Sequence, residues 1–333
     1  MPDPLRVVVV GCGDIATTGH LPAIARSQDA ALVGVVDRDP EQGTRASQAY
    51  AVPVLAGIEE AHGAGAGAVV IATPPEISPG LTRQAIGLGL DVLCEKPMAV
   101  DLASAEAVLA LTERSASIVQ IGLKNRFSPL VRATRGWIET GRIGSPVAFT
   151  LGGFDEAHDP DDVLHTSRIG HFLDTAPSFV HEGAHFADHV AYLSGSTPTS
   201  VRAVGVRSRP ELPSENFVSA LVGYANGDVA RLEIGWQLPA SPVGEFRVLG
   251  PDGVAIVDRP GGTATLHTRS GTEVVRLEGA WNDVCFDAQL AHFIACVRAR
   301  VEPETSTRVG LDSLRLGVAV AQAMRSGETV SWP

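Results

Sequence analysis

Lysine is almost absent from this 333-residue chain. Of its 26 basic side chains only Lys96 and Lys124 are lysines, and the rest are arginines. Arginine keeps its proton near neutral pH, whereas a lysine that is shielded from water can release one. The two exceptions therefore indicate positions where a titratable amine is needed.

An excess of positive charge is also lacking, since the formal net charge is −12. Nucleic-acid binding needs a basic surface, and so does binding to an anionic membrane, so we expect neither partner. No apolar run approaches the roughly 20 residues of a membrane span, and the N-terminus has no basic region typical of a secretory signal. The four cysteines form no CxxC pair, which is typical of reduced thiols in a cytoplasmic protein.

The first third of the chain alternates short apolar runs with helical stretches. The runs are rich in Val, Ile and Leu and are too short for helices: Leu5–Val10, Leu32–Val36, Ala68–Ala72, Val92–Cys94 and Ile118–Ile121. Such runs are typical of strands that are buried on both faces. Asp101 is placed to cap a helix over Leu102–Ser115. The alternation predicts a doubly wound parallel sheet of the α/β class.

Beyond residue 122 the pattern changes to consecutive strand candidates. Asn226-Gly227 separates Phe217–Tyr224 from Asp228–Trp236, which is a strong hairpin signal. Further hairpins are predicted around residues 250–253 and 270–271. We therefore predict a Rossmann domain at residues 1–122 and an α+β domain with an open, predominantly antiparallel sheet at residues 123–333. A broad exposed sheet face predicts a homo-oligomer, a dimer or tetramer.

A glycine motif follows the first strand directly and opens a helix: Gly11, Gly13, Asp14, Ile15 and Ala16. The glycines permit a tight turn and let the backbone approach a pyrophosphate at the helix N-terminus. Asp37, at the end of the second strand, is placed to accept both ribose hydroxyls of NAD, whereas Arg38 could attract the 2′-phosphate of NADP. The alternatives are a plain glycine turn and a solvated acidic residue. The sequence predicts NAD, with NADP possible.

Two further segments lie at the ends of predicted strands, where ligands bind in open α/β sheets. Thr73-Pro74 follows the third strand, and Glu95-Lys96-Pro97 follows the fourth. With these the chain resembles the glucose–fructose oxidoreductase / inositol dehydrogenase / MocA family. The similarity rests on segments that occur in family order over about the first 195 residues: Gly11–Ile15, His20–Ile24, Ala72–Pro75, Val92–Pro97, Gly122, Arg126–Pro129, Gly141–Pro146 and Gly183–His185.

The resemblance implies an NAD(P)-dependent oxidoreductase that acts on a secondary alcohol or ketone of a sugar, a cyclitol or a related polyhydroxylated ring. It assigns proton transfer to Lys96, whose pKa a nearby cationic nicotinamide would lower. It also assigns proton transfer to His185. The residues expected to contact the cofactor are Gly11, Gly13, Asp14, Ile15, Ala16, Asp37, Arg38, Thr73, Pro74, Glu95, Lys96 and Lys124. No metal ligand is expected.

Two positions depart from the family pattern. Members usually carry Asp four residues before the histidine that matches His185, but this chain has His181 there; they often carry His where Ser78 stands. His181 is a candidate third catalytic residue, and lining of the pocket is the alternative. The missing carboxylate also leaves open a dinucleotide-binding sensor or scaffold that has lost catalysis. His181-Glu182-x-x-His185 reads as a zinc-hydrolase motif, although Gly183 weakens the helix that such a motif needs.

Overall fold

The structure, a computed structural model, describes residues 3–332. Within that range the strands form one sheet of five and one of nine. Contacts divide the chain into two compact units. Unit 1 is the chain up to Lys124 together with Asn282–Asp312, and unit 2 is Asn125–Trp281 together with the chain from Ser313 onward.

Unit 1 is built on a parallel sheet with the strand order β2-β1-β3-β4-β5. The strands are β1 (Leu5–Val10), β2 (Ala30–Val36), β3 (Ala68–Ile71), β4 (Asp91–Cys94) and β5 (Val119–Ile121). All five predicted strands are confirmed to within two residues at each end. Strands β3 and β4 are buried throughout, because helices connect successive parallel strands and cover the sheet.

The helices of the first 124 residues follow these strands. A π-helical turn at Ala16–His20 leads into α1 (Leu21–Arg26), followed by α2 (Pro40–Tyr50), α3 (Ile58–Gly63), α4 (Ser78–Gly87) and α5 (Leu102–Thr112). Asp101 caps α5 as predicted, since its Oδ1 accepts a hydrogen bond from the backbone N–H of Ser104 at 2.8 Å. The glycine motif therefore lies where β1 turns into a helix.

A helix late in the sequence completes the core of unit 1, although the predicted domain boundary assigns it to the second domain. Helix α10 (Trp281–Ala299) buries Phe286, Leu290 and Phe293 in the same apolar cluster as Val9 of β1. The predicted domains assigned all of residues 123–333 to the second domain. In the structure Asn282–Asp312 belongs to unit 1, because the apolar face of α10 packs in this core.

Unit 2 is built on a nine-stranded sheet, in the order β13-β12-β11-β10-β6-β9-β8-β7-β14. The strands are β6 (Ala148–Phe154), β7 (Pro198–Val206), β8 (Phe217–Tyr224), β9 (Val229–Gly235), β10 (Phe246–Leu249), β11 (Gly253–Asp258), β12 (Thr263–Thr268), β13 (Gly271–Arg276) and β14 (Val330–Ser331). The three predicted hairpins are confirmed. The pair β6–β9 is parallel, so the sheet is predominantly rather than wholly antiparallel.

Helices cover one face of this sheet. They are α6 (Pro129–Glu139), α7 (Val163–Thr175), α8 (Ser178–His181), α9 (Gly183–Ser194) and α11 (Thr307–Ser326), whose first turns are grouped with unit 1. Strand β8 shows the resulting alternation, because Ala220 and Val222 are buried whereas Leu221 between them is 57% exposed. Among residues 3–332 no helix is both long and apolar enough to cross a membrane.

Candidate functional site

The turn after β1 has space for a Cβ atom at Gly13 but not at Gly11. Gly11 has φ +90°, and a Cβ there would lie 2.5 Å from the carbonyl oxygen of Ala72. Glycine is required at this position because β1 and the segment after β3 approach so closely. A Cβ on Gly13 would meet no atom nearer than 3.8 Å, so the protein itself does not demand glycine there. The open backbone at Gly13 fits the close approach of a pyrophosphate.

Asp37 is fixed by the backbone of the same turn. Its Oδ2 accepts a hydrogen bond from the N–H of Cys12 at 2.6 Å, and its Oδ1 accepts one from the N–H of Asp39 at 2.7 Å. Each carboxylate oxygen has further acceptor capacity, so the group can still receive ribose hydroxyls. Arg38, next to it, is exposed. The geometry fits a dinucleotide whose ribose 2′-hydroxyl carries no phosphate.

Ser78 has a structural role at the end of the Thr73-Pro74 segment. Its hydroxyl lies 2.9 Å from Thr73 Oγ1 and within 3.0 Å of the carbonyl oxygens of Thr73 and Pro74. Ser78 is 1% exposed and starts α4. The serine therefore holds the Thr73-Pro74 segment against the first turn of α4.

Glu95 and Lys96 follow the last residue of β4, at its carboxyl end. The Glu95 carboxylate is buried and lies 2.7 Å from His20 Nε2, while its other oxygen accepts a hydrogen bond from the Lys96 N–H at 3.0 Å. Lys96 itself is half-buried. Lys124 Nζ lies 4.3 Å from the centroid of the Phe286 ring. The charges of both lysines act on this one buried carboxylate and help to lower its pKa.

His181, in unit 2, is held by aromatic neighbours and by a backbone carbonyl. Its Nε2 lies 2.9 Å from the carbonyl oxygen of Phe172 and 3.3 Å from Thr175 Oγ1. Its ring stacks on Trp236 with centroids 5.7 Å apart and lies 5.5 Å from the ring of Phe172. Because a carbonyl oxygen only accepts, Nε2 carries the hydrogen in this contact. A catalytic role for His181 stays a prediction.

The segment His181–His185 is not the continuous helix of a zinc hydrolase. Helix α8 ends at His181, and α9 starts at Gly183 after Glu182. A Cβ on Gly183 would lie 2.4 Å from the Phe179 ring, so the glycine is needed where the two helices meet. In the described part of the chain no three His, Cys, Asp or Glu side chains are grouped so that they could hold a metal ion.

Helix α9 carries three buried polar side chains, His185, Asp188 and His189. His185 is 5% exposed, and Asp188, one turn later, forms a buried ion pair with Arg126. Arg126 also lies 4.8 Å from the centroid of the Tyr192 ring. His189 is 1% exposed; burial, together with the positive charges of Arg259 and Arg126, lowers its pKa to about 3. His189 is therefore neutral at physiological pH.

The predicted site residues are divided between the two units. Unit 1 holds the glycine turn, Asp37, the Thr73 segment, Glu95 and both lysines, and unit 2 holds His181 and His185. Sequence reasoning missed His20, Arg126 and Asp188 as partners. Arg126 lies in one of the segments that resemble the family. Its pairing with Asp188 could not be predicted, because Asp188 is 62 residues away.

Comparisons with known proteins agree with the unit 1 geometry. Residues 5–123 match the model of an oxidoreductase family with an NAD-binding Rossmann fold, and residues 135–332 match the C-terminal alpha/beta domain of the same family. D-apiose dehydrogenase of Paraburkholderia graminis is 27% identical over 97% of this chain and 88% of its own length. Myo-inositol dehydrogenase Hyg17 of Streptomyces leeuwenhoekii is 28% identical over 97% and 98%.

Solved structures share the whole fold. The WlbA dehydrogenase of Bordetella pertussis, crystallised with NADH and UDP-GlcNAcA, aligns with a TM-score of 0.81 at 23% identity over 99% of both chains. Together, the family models and these relatives confirm the family that the motifs indicated and its cofactor, NAD. The chain belongs to the Gfo/Idh/MocA family of oxidoreductases, whose first domain binds NAD.

Proposed function

We propose that this enzyme moves a hydride between NAD and a secondary alcohol or ketone of a sugar, a cyclitol or a related polyhydroxylated ring. The observation that carries the proposal is the position of Lys96, after β4 at the carboxyl end of an NAD-binding sheet. The names of the relatives, D-apiose and myo-inositol dehydrogenases, support the substrate class. We propose NADP as a second, less favoured cofactor, because Arg38 next to Asp37 would attract a 2′-phosphate.

Bound NAD supplies the carbon that accepts or returns the hydride. In oxidation Lys96 takes the proton of the substrate hydroxyl, and in reduction it gives this proton to the carbonyl oxygen. His185 is the second proton-transfer residue that the resemblance assigns, and His181 is the third candidate. The carboxylate of Asp37 would hold the ribose hydroxyls and repel a 2′-phosphate, which would favour NAD over NADP.

The test is a substrate panel with purified protein. Cyclitols, aldoses and simple secondary alcohols are each incubated with NAD or NADP, and formation of the reduced cofactor is followed by absorbance. We expect turnover with a polyhydroxylated ring, a faster rate with NAD, and no turnover with simple alcohols. Tight NAD binding without hydride transfer across the panel would instead support a sensor or scaffold that has lost catalysis.

We also propose that the open face of the nine-stranded sheet joins two copies of this chain. The face exposes large apolar side chains in several neighbouring strands: Val204, Leu221, Val229, Leu249, Ile256 and Val274. It also carries both charge signs, with Glu245 accepting hydrogen bonds from Arg231 and Arg247, so the face can pair with a second copy of itself. We expect the sedimentation coefficient of the purified protein to be that of a dimer or tetramer. A monomer at micromolar concentration would refute the proposed oligomer.

We also propose that the protein is cytoplasmic. The four cysteines are buried and no disulfide joins them, which is typical of a protein from a reducing compartment.

A further inference from the structure

Glu95 is a carboxylate that the protein holds in one place. The residue is 7% exposed, and both of its oxygens are engaged, one by His20 Nε2 at 2.7 Å and the other by the N–H of Lys96 at 3.0 Å. A Cβ on Gly122 would lie 2.8 Å from Glu95 Oε1, so glycine at that position makes room for the carboxylate. The group therefore has little freedom to turn away from its neighbours.

His20, which contacts the Glu95 carboxylate, is itself held in place by Phe286. His20 is 3% exposed, and its ring packs against the Phe286 ring in a T-shaped arrangement with centroids 4.9 Å apart. Phe286 also fills the space at Gly19, where a Cβ would lie 2.3 Å from the ring. Because Phe286 belongs to the core of unit 1, the imidazole that orients Glu95 is itself anchored by packing.

The charges around Glu95 come from His20 and from both lysines of the chain. Burial acts to raise the pKa of Glu95, but the His20 hydrogen bond and the charges of His20, Lys124 and Lys96 outweigh it, and the pKa is lowered. The carboxylate is therefore ionised at neutral pH. The neighbouring Cys94 thiol is uncharged, because burial raises its pKa to about 12.

We propose that Glu95 is a positioning residue whose fixed negative charge, oriented by His20, sets the pH at which Lys96 gains or releases its proton. The positive charge of Lys124 also acts on this carboxylate, so the protonation of one lysine affects that of the other. The role in catalysis rests on the proposed function of Lys96, but the coupling itself does not. A buried charge that only stabilised the fold would leave the titration of the lysines unchanged.

The near absence of lysine makes this coupling directly measurable. Protein labelled with ¹³C at lysine Cε has two lysine signals, which Lys96→Arg and Lys124→Arg variants assign. In Glu95→Gln we expect the midpoint of both signals to move to lower pH, by about one pH unit, because an opposite charge nearby favours the ammonium form. The pH-dependent limb of kcat/KM should move in the same direction.

Asp91→Asn is the matched control. Asp91 is a buried carboxylate at the other end of β4, 2.8 Å from Arg300, so its loss also removes a charged pair of unit 1. The lysine midpoints should not move in this variant. Unchanged midpoints in a folded Glu95→Gln protein overturn the proposal.

A second variant tests the proposal if the Glu95→Gln protein does not fold. Lys124→Gln removes a half-buried cation from the coupled system, so the Lys96 midpoint should rise, and an unchanged midpoint again overturns the proposal. Shifted midpoints in a protein that turns over no panel substrate would refute the proposed function and leave the coupling intact. Turnover of a panel substrate with unshifted lysine midpoints would support the proposed function and refute the coupling.

Discussion

Replacing Lys96 with alanine is expected to lower the turnover number by a factor on the order of 10²–10⁴, while the affinity for NAD changes little. This is the range that a positioned acid–base group contributes to a reaction. Lys96 is itself one of the expected cofactor contacts, but most of the others, such as Gly13 and Asp37, lie on other segments of unit 1, so NAD binding should survive the substitution. Steady-state kinetics on the best panel substrate and calorimetric titration with NAD measure the two effects separately.

Lys96→Arg is the matched variant for this prediction. It keeps a positive charge next to Glu95 but cannot release a proton near neutral pH. We therefore expect a loss of turnover similar to that of the alanine variant, with wild-type thermal stability. Turnover within threefold of wild type in either variant would show that Lys96 does not transfer the proton.

Replacing Asp188 with asparagine is expected to cost about 3–5 kcal/mol of stability, because it leaves the Arg126 guanidinium buried without its carboxylate. Arg126 is 7% exposed and Asp188 is 2% exposed, so water cannot replace the lost partner. The measurement is the free energy of unfolding for the urea transition that includes unit 2. A thermal scan should show a fall in Tm of roughly 10 °C.

Two controls separate this pair from an ordinary surface contact. Glu139→Gln breaks the exposed ion pair with Arg135, also in unit 2, and should cost less than about 1 kcal/mol. The double variant Arg126→Met/Asp188→Leu removes both charges and should regain much of the stability that Asp188→Asn loses. A cost below about 1 kcal/mol for Asp188→Asn would refute the importance of the buried pair.

Local sequence pattern was enough to predict most elements. The strands of unit 1 are short Val- and Ile-rich runs between helices, and the hairpins of unit 2 carry glycine turns, so each signal lies within a few residues. Helix α7 and strands β6 and β7 were not predicted. Strand β6 pairs with β9 in parallel and with β10 in antiparallel fashion, and both partners are 70 or more residues away. No local signal specifies such pairings.

Residues of the candidate site could be predicted from the sequence where they directly follow a turn or the end of a strand. Gly11, Asp37 and Lys96 are of this kind. Partners brought together by the tertiary fold were not predictable: His20 meets Glu95 across 75 residues, and Arg126 meets Asp188 across 62. The hydrogen bond from His181 to the Phe172 carbonyl was equally hidden, because it depends on how α7 and α8 pack. These contacts decide which side chains are free to act on a substrate.

Helix α10 also has a consequence for synthesis on the ribosome. The five strands of unit 1 are complete once Lys124 has been made, but the residues of α10 that complete their core, Phe286, Leu290 and Phe293 among them, are translated after all its other members. At about 5–20 residues per second the ribosome needs roughly 10–35 s to reach the end of α10. During that interval the nascent sheet has an uncovered apolar surface, so the growing chain is a natural client for chaperones that hold newly made segments until their partner is translated.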